Sequence, residues 1–107
     1  MEKEIQEKVK ELQVFEQNLQ NLLMQKQAFQ LELNETNSAL EELEGSKDEV
    51  YKIVGNVMIK SKKEILVKEL KERLGILDLR VRNIEKQEQL IRKKAESIRE
   101  SVMKKMR

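Results

Sequence analysis

The groups available for chemistry in this 107-residue chain are almost all carboxylates and amines. There are 20 Asp and Glu and 22 Lys and Arg, but no His, Cys, Trp or Pro. Without Cys there is no thiol nucleophile and no disulfide framework. Without His or Cys, neither a zinc site nor a His-based acid/base centre is expected. No catalytic residue, metal or cofactor is therefore expected. What remains is non-covalent contact, and three groups of residues could make it. Ile5, Val9, Leu12 and Phe15 near one end of the chain join Ile98, Val102, Met103 and Met106 near the other. Val50, Tyr51, Ile53, Val54, Val57, Met58 and Ile59 form an apolar cluster about Gly55-Asn56 in the middle. Lys104, Lys105 and Arg107 make a basic C-terminal tip.

Two long helices must position these groups. Residues 2–44 contain no Gly or Pro. Positions 5, 12, 19, 26, 33 and 40 read Ile, Leu, Leu, Lys, Leu, Leu, and positions 8, 15, 22, 29, 36 and 43 read Lys, Phe, Leu, Phe, Thr, Leu. That is the 3-4 spacing of a heptad seam, sustained for six heptads, and it argues against disorder. A helix of this length would span roughly 60 Å. Gly45-Ser46 is expected to stop it, with Gly just past the helix end. Residues from about 62 to 107 repeat the pattern. Positions 67, 74, 81, 88, 95 and 102 read Val, Leu, Val, Glu, Ala, Val, and positions 70, 77, 84, 91 and 98 read Leu, Leu, Ile, Ile, Ile. Ser61 is the expected N-cap, with Glu64 completing a capping box. Gly75 interrupts this second stripe, and its flanks Leu74, Ile76 and Leu77 suggest a contact outside the seam.

Between the helices, about residues 50–60, the residues become β-branched and short, and Gly55-Asn56 is a two-residue hairpin signal. Folding about it sets Val54 opposite Val57, Ile53 opposite Met58 and Lys52 opposite Ile59. Both faces are apolar, so both need covering. The charge split supports a fold-back of the helices. Residues 1–44 hold 4 basic and 10 acidic groups, whereas residues 62–107 hold 15 and 8. An acidic helix lying antiparallel to a basic one is complementary. That pairing places seam Lys26 near residue 85, with Glu85 as its expected partner. The expected fold is mainly α and forms one domain, 1–107. It is a long antiparallel coiled-coil hairpin whose central β-hairpin, marginal alone, assembles with others into an oligomeric β-barrel platform.

The residues carrying this pattern resemble the beta-class subunit of archaeal-type prefoldin over nearly the whole chain. The matching stretches are Leu19-Gln20, Gln25-Lys26-Gln27 and Ala39-Leu40-Glu41-Glu42-Leu43 in the first helix. Val50-Tyr51-Lys52-Ile53-Val54-Gly55 opens the hairpin and Lys60 closes it. Glu69-Leu70-Lys71-Glu72 and Gln87-Glu88-Gln89 lie in the second helix. The coiled-coil matches are weakly specific, but the Tyr-Lys-x-Val-Gly hairpin between equal arms is much more so. The resemblance implies an ATP-independent holdase of two alpha and four beta subunits. It would hold unfolded clients among the distal arm ends and pass them to a group II chaperonin.

Each group also has a plainer reading. Ile5, Leu12, Phe15, Ile98 and Val102 fall on the seam, where ordinary packing accounts for them. Val9, Met103 and Met106 fall outside it and are better suited to adaptable client contact, a use to which flexible Met lends itself. Lys104, Lys105 and Arg107 either complement the helix macrodipole or dock on an acidic patch of the chaperonin. The alternative for the whole chain is a passive coiled-coil scaffold with a fixed helical partner. Nucleic acid is not expected as a partner, because basic residues are interleaved with Glu and the aromatics are only Phe15, Phe29 and Tyr51. Nor is a membrane, since no run approaches the ~18 apolar residues of a span. With no signal-like stretch at Met1-Glu2-Lys3-Glu4, the expected location is cytoplasmic.

Overall fold

Helix α1 (Glu2–Gly45) starts with Glu2 and Glu4 in its first turn, where carboxylates favour the positive end of the macrodipole. The computed structural model describes residues 2–106. No basic residue of α1 lies in its own last turn. The Leu43 carbonyl accepts from the Ser46 N–H at 3.2 Å, and the Lys63 ammonium donates to the carbonyl oxygens of Glu44 and of Ser46 just beyond the helix at 2.9 and 3.0 Å. Gly45 is thus not the left-handed cap expected just past the helix. It is the last helical residue, and the only glycine with a positive φ among the described residues is Gly55. A lysine supplying both hydrogen bonds and positive charge does the work that a Gly cap otherwise does.

Strands β1 (Val50–Val54) and β2 (Val57–Ser61) form one antiparallel two-stranded sheet. Val54 pairs with Val57, Ile53 with Met58 and Lys52 with Ile59, the register read from the sequence. Gly55 has φ +60° while Asn56 does not enter the positive region. That combination is a type II′ turn, which needs Gly at its first central position and matches the strands' twist.

Helix α2 (Lys63–Met106) starts later than a Ser61 cap would allow. Ser61 is the last residue of β2, opposite Val50, and the first helical bond runs from the Leu66 N–H to the Lys62 carbonyl at 3.1 Å. The Lys62 carbonyl accepts that first bond, so Lys62 holds the cap position and Ser61 lies one residue before it. Glu64 and the pair Lys104 and Lys105 sit at the helix ends where their charges suit the dipole.

The structure divides into two compact units, one from Met1–Gln27 with Arg82–Arg107 and the other Ala28–Val81. In the first, Leu22, Ile84, Glu88 and Val102 are buried. In the second, Thr36, Leu40, Val50, Leu66, Leu77 and Val81 are. Within each, the helices run antiparallel, as the pairs Lys8 with Ser101 and Lys26 with Glu88, and Glu32 with Arg73, require. Every position of both heptad stripes is buried or half-buried, while most of their neighbours are exposed. The core is therefore a seam rather than a centre.

The polar interruptions of the α1 stripe are all satisfied. Lys8 donates to the Ser101 hydroxyl, and the Thr36 hydroxyl donates to the Glu32 carbonyl at 2.7 Å. Lys26 meets Glu88 at 2.8 Å. Glu88, not the expected Glu85, is the partner, three residues further along. Glu88 continues the buried row of Val81 and Ile84, whereas Glu85 lies a further ~100° round the helix and is exposed.

Candidate functional site

Val9, Met103 and Met106, near the helix ends of the first unit, stand clear of the seam, as does Val14 at 57% exposure. Val9 is 40% exposed, Met103 57% and Met106 72%. The stripe explains this: these residues lie between seam positions, so the 3.6-residue turn carries them out of the helix–helix contact. Ile5, Leu12, Phe15 and Ile98 are half-buried, and Val102 is buried. The expected division between seam and off-seam residues is thus the one observed in burial. Two shallow apolar-floored grooves open here. One, of about 320 Å³, is lined by Ile5, Gln6, Val9, Lys10 and Gln13. The other, of about 390 Å³, is lined by Phe15, Lys93, Lys94, Ser97 and Ile98. Both are too open to enclose a small molecule, and both present apolar side chains to whatever lies alongside.

At the same end Lys105 is committed to an ion pair with Glu4. Its hydrogen bond to the lysine holds the Glu4 carboxyl below the usual carboxylate range, and the same bond raises Lys105. Of the basic tip read from the sequence, Lys104 is exposed, Lys105 is half-buried in this pair, and Arg107 lies outside the described residues.

The second surface is the β-hairpin. Tyr51, Ile53, Val54, Val57, Met58 and Ile59 are all exposed, Ile53 by 70%, and only Val50 of the cluster is buried. The strands' polar side chains are tied locally. The Tyr51 hydroxyl donates to Glu49 at 2.8 Å and Lys60 donates to the same carboxylate at 2.9 Å. These bonds lower the Glu49 carboxyl and raise the Tyr51 phenol. Lys52 reaches Glu69 of α2 at 2.9 Å. Near Gly75 a groove of about 440 Å³ is lined by Lys52, Glu69, Arg73, Ile76, Leu77 and Arg80, among others. Its cations are already paired, Arg73 with Glu32 and Lys52 with Glu69, while Arg80 stacks 5.5 Å from the Phe29 ring centre.

Sequence reasoning missed the Lys63 cap and the Lys105–Glu4 pair, and gave Lys26 the wrong partner. The Lys63 cap has no local signal, because donor and acceptors are 17 and 19 residues apart. The Lys26–Glu88 pair did have one. Glu88 is the one acidic residue in the α2 stripe and Lys26 one of two lysines in the α1 stripe, with opposite sign on opposite helices.

Among the described residues, no group of three or more Asp, Glu, His or Cys gathers to hold a metal ion. No helix is long and apolar enough to cross a membrane. Between the two 44-residue helices stands a single exposed hairpin. Residues 6–107 match the family described as prefoldin subunit. The chain belongs to the prefoldin beta-subunit family. It is 36% identical over 106 residues to prefoldin subunit beta of Pyrococcus horikoshii, covering 97% of this chain and 91% of that one. It is 38% identical over 101 residues to prefoldin subunit beta of Saccharolobus islandicus, covering 92% and 80%. The crystal structure of the prefoldin beta subunit from Thermococcus strain KS-1 matches with a TM-score of 0.92 at 34% identity, covering 97% of this chain and 93% of that one. Prefoldin subunits are chaperone components and not enzymes.

Proposed function

We propose that this prefoldin beta-type chain is one of four beta subunits that join two alpha subunits in a cytoplasmic holdase. The holdase captures unfolded proteins at the distal coiled-coil ends and delivers them to a group II chaperonin without ATP. The observation that supports capture is the exposure of Val9, Met103 and Met106 beside the half-buried Ile5, Leu12, Phe15 and Ile98. An unfolded client shows apolar side chains in no fixed order. Flexible, unbranched Met can adapt to many of them, and weak contacts repeated on several arms add through effective concentration. The exposed hairpin supports the assembly half of the reading, since an isolated two-stranded sheet with two apolar faces is marginal in water.

The test is aggregation of a denatured client followed by light scattering, with the assembled complex present. Replacing Val9, Met103 and Met106 by Ser is expected to raise the concentration needed for half-suppression several-fold. Unchanged suppression would remove these residues from the client surface. If the unsubstituted complex gave no suppression in excess, a passive scaffold would be the better reading. For the basic tip, deleting residues 104–107 is expected to weaken chaperonin docking and its salt sensitivity. Docking that is indifferent to the deletion would leave Lys104 and Lys105 as dipole-complementing residues only.

A further inference from the structure

Every methionine among the described residues is exposed: Met24 by 68%, Met58 by 65%, Met103 by 57% and Met106 by 72%. Met is ordinarily one of the buried residue types. The rest of the chain contains no Cys, His or Trp, so the thioethers are by a wide margin its most readily oxidised groups. Two of them, Met103 and Met106, are three residues apart on α2 and so share a helix face. They are also two of the three off-seam residues assigned to client contact. We propose that Met103 and Met106 form a reversible oxidation site at which peroxide lowers client capture. This rests on the client-contact reading above and adds a regulation to it.

The chemistry needs only the peroxide. The thioether sulfur attacks one peroxide oxygen, the O–O bond breaks, and an S–O bond forms. The proton on the transferred oxygen passes to the departing one, which leaves as water. Sulfur is oxidised by two electrons and the peroxide reduced by two. The product is methionine sulfoxide, polar where the thioether was apolar. A thiol-consuming methionine sulfoxide reductase returns it, one enzyme for each epimer. A sulfoxide dipole pressed against an apolar client side chain loses its water without gaining a hydrogen bond, which opposes binding. Because neither residue lies in the seam, the helix pair itself keeps its packing.

The test uses the assembled complex with Met24→Leu and Met58→Leu in the full chain, its assembly and suppression measured before peroxide, so that Met103 and Met106 are the thioethers left in this chain beside Met1. Hydrogen peroxide is the probe. Mass spectrometry of the C-terminal peptide is expected to show one added oxygen on each residue. Client aggregation is then expected to need at least two-fold more complex for half-suppression. Treatment with the two reductases should reverse the loss. A further Met103→Leu/Met106→Leu variant, compared with itself before and after peroxide, should show no change. Full sulfoxide formation without loss of suppression overturns the switch, as does an equal loss in the Leu variant. The Val9→Ser/Met103→Ser/Met106→Ser complex separates the two readings. If it loses suppression while oxidation has no effect, client contact stands and the switch falls. If it keeps full suppression, the client surface falls and the switch with it.

Discussion

Lys26 and Glu88 show how a charged pair is carried inside an apolar seam. The Glu88 side chain is 9% exposed and accepts from Lys26 at 2.8 Å, with Arg92 a further 3.8 Å away. Removing Lys26 leaves the buried Glu88 carboxylate with only the more distant Arg92, which costs more than the pair's net contribution. Lys26→Leu is therefore expected to destabilise the assembled chain by about 2 kcal/mol in chemical denaturation. The double variant Lys26→Leu/Glu88→Leu should recover most of that loss. With Glu88→Leu completing the cycle, a double-variant loss equal to the sum of the two single losses would mean the pair is not coupled. The exposed Glu4–Lys105 pair behaves differently. Its Glu4 carboxyl is held below the ordinary value of 4.5, so its contribution is present above that pH and lost as pH falls through the lowered value. Lys105 is raised above 10.5, so its contribution holds below that pH and is lost as pH rises through the raised value. An NMR titration is expected to place Glu4 below 4.5, and Lys105→Ala to raise it from its lowered position.

At the scale of the elements, two positions separate helix propensity from tertiary demand. Gly75 lies inside α2 with nothing within 4 Å of an added Cβ. Gly75→Ala is expected to stabilise the chain by about 0.5–1 kcal/mol in thermal or urea unfolding, because only helix propensity is at stake. No change, or a loss, would reveal a close approach by another chain at this point. Lys63 closes the end of α1 from α2. Lys63→Met keeps the apolar stem but removes both hydrogen bonds to the Glu44 and Ser46 carbonyls. Its expected cost is about 1 kcal/mol, with faster amide exchange in the last turn of α1. Both helices were legible in the sequence because a six-heptad stripe has only one helical solution. Their caps were not, because Lys62, one residue past Ser61, holds the cap position of α2 and a lysine beyond the hairpin closes α1.

For the whole molecule, the exposed hairpin is the surface proposed to join subunits. Ile53→Ser with Met58→Ser leaves the two helices their seam but removes apolar groups from one face of the sheet. In sedimentation with an alpha-class partner, this variant is expected to remain unassembled while retaining its helical circular dichroism. Normal assembly would show that the hairpin face is not the joint. The same division explains which parts of the candidate surface could be read in advance. Val9, Met103 and Met106 were separable from Ile5, Leu12, Phe15, Ile98 and Val102 because a helix fixes which residues share a face. The Glu4 pairing of Lys105 was not separable, since it depends on where two distant ends meet.

The amino-acid sequence by itself determined the two helices, the hairpin register and the face each residue takes. Those follow from local periods of 3.5 and 2 and from a Gly-Asn turn, which involve only neighbours along the chain. The tertiary structure alone decided that Glu88 and not Glu85 meets Lys26, that Lys63 caps α1, and that Lys105 is tied to Glu4. Each of these depends on the relative placement of two helices to within one turn. Charge complementarity between an acidic and a basic helix sets the pairing, but it is satisfied almost equally by several registers. The short-range fit of seam side chains chooses among them.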